Sequence, residues 1–241
     1  MQPDTAVILC AGLGTRMRPL SLTTPKPLLP LAGQPILAHT MARLRHAGVK
    51  RVIANAFHLA EQVESFFAHY ENVTVLREPA LLDTGGALAA LAAQGVLPDA
   101  PFYILNGDSY WVDGPSAALP RLAAAFDPAR EDAALLLARS AGTIAETLFG
   151  DFLWPREGEL RRRDEREVAP YLYSGIQIAT KALLHGAAVE AFSMNRLWDE
   201  ALAQGRLNAI IHDGVWLHLT TPADIDRAEE LLAAREVGNS T

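Results

Sequence analysis

The stretch that most constrains this chain is Leu9 to Pro35, LCAGLGTRMRPLSLTTPKPLLPLAGQP, which follows the apolar residues Ala6-Val7-Ile8. The apolar run reads as a buried strand, and it empties into a loop with glycines at positions 12 and 14. Between Ala11 and Pro30 stand Arg16, Arg18 and Lys26, and no acidic residue. Glycine lets backbone amides approach a ligand closely, and consecutive amides form a concave anion site. With fixed cations added, the loop suits a polyphosphate.

Two common phosphate loops are excluded. A P-loop needs GxxxxGK followed by Ser or Thr, which this chain lacks. The dinucleotide pattern GxGxxG needs a third glycine at position 17, which is Met17. Pro19, Pro25, Pro27 and Pro30 are expected to keep the chain extended instead. A helical pattern begins only after Gly33-Gln34-Pro35, with Ile36, Leu37, Thr40, Met41 and Leu44 on one face. The expectation is a long arm that closes over a nucleotide and carries its own Lys and Arg.

Strand-like runs at 5–10, 50–56, 72–77, 101–106, 133–139, 171–179 and 207–212 alternate with helix-like runs near 34–47, 59–69, 85–94, 115–126, 195–204 and 222–235. That alternation implies an α/β fold, a mainly parallel sheet covered on both faces. Residues 140–170 break the rhythm and read as a small β insertion, and 237–241 read as a frayed tail after a domain spanning 1–236. The Arg161-Arg162-Arg163 run reads first as a solvated strand edge. A net charge of -7 argues against a nucleic-acid footprint. Cys10 is the lone cysteine and reads as packed core, which fits a reducing compartment. With no basic leader and no apolar stretch near the ~20 residues a membrane span needs, the expectation is a cytoplasmic protein with no membrane partner. Oligomeric state is not readable beyond monomer or dimer.

Gly12-Leu13-Gly14-Thr15-Arg16-Met17 with Pro25-Lys26-Pro27 resembles the signature of the sugar-1-phosphate nucleotidylyltransferases. Leu82-Asp83-Thr84-Gly85-Gly86-Ala87, Asn106-Gly107-Asp108, Ser174-Gly175-Ile176 and the Trp216–Thr221 segment follow in the family's order. The compact length and the DTGG string most resemble its N-acetylmuramate α-1-phosphate uridylyltransferase branch. The resemblance implies a Rossmann-like three-layer αβα nucleotide-diphospho-sugar transferase fold with one antiparallel strand. It also implies transfer of UMP from UTP to a sugar 1-phosphate, releasing pyrophosphate, with Mg²⁺ or Mn²⁺ as cofactor. Alternatives are a mannose- or glucose-1-phosphate nucleotidylyltransferase using GTP or dTTP, or a weakly active sensor of sugar nucleotides.

In such a transfer the attacking phosphate oxygen is already ionised, so positioning and electrostatics carry the catalysis. Arg16 is expected on the β- and γ-phosphates, where its planar fork suits phosphate oxygens. Lys26, stiffened between two prolines, is expected on the α-phosphate or the sugar phosphate; Arg18 reads equally as a phosphate contact or a solvated side chain. Asp108 ends an apolar strand and faces the triphosphate as a metal ligand, with Asn106 on the same side. The nucleotide set implied by the resemblance is Ala11, Gly12, Gly14, Thr15, Arg16, Asp83, Thr84, Gly85 and Asn106, with Gly85 and Gly86 against the base and Thr84 capping a helix. The sugar set it implies is Glu165, Ser174, Gly175 and Asn195, with Glu167 and Arg196 as weaker candidates; helix capping by Ser193 or Asn195 competes for the last.

One departure stands out. Where the family usually carries W-x-D-x-G-T with a second metal carboxylate, this chain reads Trp216-Leu217-His218-Leu219-Thr220-Thr221. Imidazole is a poorer partner than carboxylate for Mg²⁺. His218 as a ligand, directly or through water, Asp108 acting alone, and a structural histidine all stay open.

Overall fold

The apolar N-terminal run forms β1 (Thr5–Leu9) in the computed structural model, which describes residues 2–141, 149–154 and 159–239. The two-residue ladder of β2 (Pro30–Leu31) with β3 (Gln34–Pro35) precedes α1 (Ile36–His46), β4 (Arg51–Ala56), α2 (Ala60–Phe67) and β5 (Val73–Arg77). Then come α3 (Asp83–Ala93), β6 (Phe102–Asn106), β7 (Tyr110–Val112), α4 (Ala118–Ala125) and β8 (Ala133–Arg139). The chain ends with β9 (Phe152–Leu153), β10 (Arg161–Arg162), β11 (Tyr171–Ala179), α5 (Met194–Ala203), β12 (Leu207–Ile211), β13 (Val215–Leu217) and α6 (Pro222–Asn239).

The main sheet runs β12-β8-β11-β6-β1-β4-β5. Every neighbouring pair in it is parallel except those made by β11, which lies antiparallel to β6 and β8. The one antiparallel core strand is therefore β11. The β9–β10 hairpin joins through Tyr171 opposite Phe152, which places a β insertion inside 140–170; residues 142–148 and 155–158 of that expected insertion lie outside the described residues.

β1 is apolar on both faces because both faces are covered. Ala6 and Ile8 pack with Leu37 and Leu44 of α1, Val63 and Phe67 of α2, and Leu122 of α4. Val7 faces the other way, toward Leu88 of α3 and Leu197 and Trp198 of α5. This is the expected three-layer arrangement. A third cluster joins the glycine-proline loop to α6: Met17, Leu29 and Leu31 pack with Tyr110, Leu217, Ile225 and Ala228.

Two expectations are corrected, and one element goes unread. The proline-rich segment is not extended: it folds into 3-10 turns at Thr15–Met17, Leu20–Leu22 and Lys26–Leu28. Proline's fixed φ fits the first positions of a helical turn as readily as an extended chain. The ribbon of β7 with β13 escapes a reading of the sequence because three-residue strands carry no readable alternation. The last helix runs on to Asn239, so the expected fray at 237–239 is helical backbone; 240 and 241 lie outside the described residues. Among the described residues no helix is long and apolar enough to cross a membrane.

Met17 is fully buried in the cluster that ties the loop to α6. Met17→Ala is therefore expected to lower unfolding free energy by about 3 kcal/mol, read as a fall in the urea midpoint at unchanged slope.

Candidate active site

In open α/β sheets ligands collect beyond the carboxyl ends of strands, where the order of strands reverses. Here β1 lies between β6 and β4, and a cavity of about 510 Å³ opens at that edge. Leu9, Cys10, Ala11, Gly12, Gly14, Thr15 and Arg16 line it from the loop; Asn55 and Glu78 from the ends of β4 and β5; Asn106 and Asp108 from β6; and Asp83 and Thr84 from α3. A second cavity of about 260 Å³ adjoins it, sharing Leu9, Asp83, Thr84 and Asn106 and adding Asp151, Tyr173, Gln177, Ser193, Asn195 and Trp198. Two hollows thus meet at one wall.

Gly14 adopts φ +58°, a left-handed conformation that favours glycine, and Ser21 Oγ donates to its carbonyl at 2.7 Å. A Cβ there would also crowd Ser21 and Lys26. The turn brings Lys26 across to Asp108, and its Nζ donates to Asp108 Oδ2 at 2.5 Å. The pair is only partly exposed, 14% and 33% for the two side chains. Burial alone would raise the Asp108 carboxyl, but the charge and hydrogen bond of Lys26 outweigh it and hold the group below the usual aspartate range. Arg16 is exposed on the cavity wall, and among the described residues no carboxylate pairs with it. Arg18 is exposed and lines neither cavity.

His218 follows β13 directly and stacks on Trp216 with ring centroids 5.1 Å apart. Burial first, then Lys26, push its imidazole below the ordinary histidine value against the opposing pull of Asp108. Its Nδ1 is buried without a hydrogen-bond partner among the described residues. Among the described residues no three His, Cys, Asp or Glu side chains converge on a metal position. One carboxylate and one unpartnered imidazole fit a divalent ion that arrives with phosphate oxygens, and do not fit an ion held by protein alone.

Residues that the sequence does not single out hold the cavity in shape. Asn55 Oδ1 accepts from Cys10 N–H at 2.7 Å, its Nδ2 donates to Glu78 Oε1 at 2.6 Å, and Glu78 Oε2 accepts from Leu82 N–H at 3.2 Å. Burial raises the Glu78 carboxyl against those two hydrogen bonds. Asp224, with a side chain only 4% exposed, accepts from the N–H groups of Thr220 and Thr221 and from Thr221 Oγ1. It thereby sets Thr220, which lines the larger cavity. An Asp three residues after Thr221 is the one available sequence signal. Cys10 is buried core, and burial pushes its thiol up, away from a nucleophile's range.

Several candidates stand elsewhere than expected. Glu165 is exposed and lines neither cavity; its carbonyl accepts from Arg163. Glu167 is bound to Arg161 by two hydrogen bonds, which draws it to the hairpin instead. Ser174 and Gly175 form the bulge of β11 beneath Ser109 and Trp216, whose Oγ and Nε1 both donate to Ser174 O. They are buried behind the cavity and do not line it. Ser193 caps α5, leaving Asn195 on the smaller cavity, while Arg196 turns outward to Glu190. Thr84 does not cap its own helix, and Gly85 lines neither cavity; both face the segment before α5.

The pattern of the MobA-like NTP transferase domain matches residues 6–169, more than half of the chain. The chain belongs to the MobA-like NTP transferase family. It is a nucleotidyltransferase. Over 96% of its length it is 34% identical to the N-acetylmuramate alpha-1-phosphate uridylyltransferase of Caulobacter vibrioides, covering 98% of that protein. It is 31% identical to the enzyme of that name from Neisseria meningitidis serogroup B, over 95% of this chain and 98% of that one. Among solved structures, a putative glucose-1-phosphate thymidylyltransferase from Bacillus anthracis shares the fold with a TM-score of 0.80 at 18% identity, with 94% of each chain covered. The inositol-1-phosphate CTP transferase of T. maritima does so with a TM-score of 0.77 at 18% identity, over 97% of this chain and 96% of that one.

In this nucleotidyltransferase Asp224 is held below the ordinary aspartate value near 3.8 by the hydrogen bonds of Thr220 and Thr221 and by Arg227, which together outweigh burial. A depressed carboxyl stabilises the fold above its unfolded pKa and loses that contribution as pH falls through the folded value. Asp224→Ala is expected to cost about 2 kcal/mol at pH 7. In denaturant titrations the gap from wild type should narrow only once the pH drops below about 3.8.

Proposed function

We propose that this nucleotidyltransferase moves UMP from UTP to a sugar 1-phosphate, MurNAc α-1-phosphate, giving the UDP-sugar and pyrophosphate. The observation that carries this reading is the meeting of two cavities at Asp83, Thr84 and Asn106, with cations on the larger side alone. The larger takes the triphosphate. The smaller, with Tyr173 and Trp198 as apolar walls and Asp151, Gln177 and Asn195 as hydrogen-bonding groups, takes the sugar. The likeness to the two uridylyltransferases over nearly full length supports the choice of base and sugar.

An ionised oxygen of the sugar 1-phosphate attacks the α-phosphorus. The bond from that phosphorus to the bridging oxygen breaks, and pyrophosphate leaves with the electron pair. No proton need move, which agrees with a site whose one cysteine is buried. Lys26 leaves Asp108 to hold phosphate oxygens of both substrates, and Arg16 binds the β- and γ-phosphates. Ala11, Gly12, Gly14 and Thr15 border the phosphates, and Asp83 and Thr84 stand toward the nucleoside. A bound Mg²⁺ or Mn²⁺, held by Asp108 with His218, supplies neutralisation of the phosphate charge.

The unit carrying the reaction is residues 1–236, with the 140–170 insertion giving Asp151 to the sugar side. On this reading it serves the recycling of cell-wall sugar in the cytoplasm, as a monomer or dimer, with no nucleic-acid or membrane partner.

Pyrophosphate release over four nucleoside triphosphates and several sugar 1-phosphates is expected to be fastest with UTP and MurNAc α-1-phosphate; release with no pair would remove the reading. Lys26→Ala and Asp108→Asn should each lower kcat by roughly 10²–10³-fold in that assay. The rate profile across Mg²⁺, Mn²⁺ and Co²⁺ is expected to differ between wild type and His218→Asp, and identical profiles would take His218 out of the metal site.

A further inference from the structure

We infer that Thr84, Gly85 and Gly86 form a strut that sets the acceptor cavity by fixing the start of α5; this rests on the assignment of the smaller cavity to the sugar. The two glycines that the sequence presents as a platform for the base are covered by the protein's own chain. Gly85 N–H and Gly86 N–H both donate to Phe192 O, at 3.0 and 3.1 Å, and Phe192 N–H donates to Leu82 O at 3.1 Å. Thr84 Oγ1 accepts from Met194 N–H at 2.9 Å. Met194 is the first residue of α5, so Thr84 satisfies one of the helix's unpaired N-terminal donors.

Close approach explains the two glycines. A Cβ on Gly85 would stand 2.3 Å from the Phe192 ring, and one on Gly86 would stand 2.0 Å from Glu190 O. The 190–192 segment lies directly on the first turn of α3 and tolerates no side chain beneath it. From outside, Arg196 stacks over Phe192 at 4.0 Å and pairs with Glu190 at 2.8 Å. The segment is held from both sides.

The acceptor wall begins where this segment ends. Ser193, Met194, Asn195 and Trp198 line the smaller cavity, and Trp198 Nε1 donates to Gln177 Oε1 at 2.9 Å across it. Asp83 and Thr84 line both cavities. Asp83 sits at φ +57° with its Oδ1 accepting from Thr84 N–H at 2.6 Å, so the turn entering the strut is itself constrained. Thr84 and Gly86 are positioning residues: they place Asn195 and Trp198 relative to the nucleotide without Gly86 lining either cavity.

The test compares Gly86→Ala, Thr84→Val and Thr84→Ser by steady-state kinetics with UTP and MurNAc α-1-phosphate, UTP titration calorimetry, and amide hydrogen exchange without substrates. Gly86→Ala is expected to raise the acceptor KM roughly tenfold or more while the UTP Kd stays within about twofold. Thr84→Val, which loses one partly buried hydrogen bond, should raise it about fivefold and speed exchange at the Met194 amide, and Thr84→Ser should restore both. Unchanged Met194 exchange in Thr84→Val overturns the strut, as does a UTP Kd that rises in step with the acceptor KM in Gly86→Ala. Should Gly86→Ala fail to fold, the Thr84 pair decides. If the wild-type enzyme turns over no sugar 1-phosphate, the assignment of the cavity fails, and the exchange readout still decides the strut.

Discussion

One ion pair organises this site. Lys26 arrives on the proline-rich loop, Asp108 arrives just after the end of β6, and each is the other's counter-charge. Left alone, either charge would carry the cost of partial burial. Together they hold the loop against the sheet edge. On the proposed function, a triphosphate that arrives with a divalent ion offers each a better partner: phosphate oxygens for the ammonium, the cation for the carboxylate. On that proposal the pair stores both halves of the binding apparatus in a satisfied state, and substrate entry exchanges partners instead of exposing charges.

That exchange requires a loop seated with some accuracy, and the third core cluster provides it. Met17, Leu29 and Leu31 bury against α6 and the β7–β13 ribbon, where the pairing of Tyr110 with Leu217 brings Asp108 and His218 to the same end. Arg43 stacks on Tyr110 and Trp111 at 5.0 and 4.7 Å and seats the ribbon on α1. Phosphate loop, carboxylate and imidazole thus share one small hydrophobic support. The two larger cores, on either face of the sheet, position the strand ends to which this support is attached.

Much of this is legible in the sequence. The seven long strands and six helices fall close to where apolar runs and helical spacing put them, because each buries enough surface to impose its period. The glycines, Arg16 and Lys26 that border the larger cavity are legible from charge and glycine alone. The features that escape depend on contacts between distant segments. The Asn55–Glu78 link joins two strand ends, and no local pattern announces it. The DTGG string looks like a ligand platform because glycine marks close approach without naming the approaching group, which proves to be Phe192 and Glu190. Proline suggests extension, yet three 3-10 turns use the same φ. Glu165 misleads for the same reason: its position depends on Arg163 and the hairpin, which the sequence does not orient.

On the proposed function, substrate binding turns on the exchange of partners at Lys26. A crystal structure with UTP and Mg²⁺ bound is the most direct measurement. The expected result is Lys26 Nζ on phosphate oxygens, separated from Asp108, with the carboxylate on the ion. A bound triphosphate beside a Lys26–Asp108 pair still closed at 2.5 Å would contradict it.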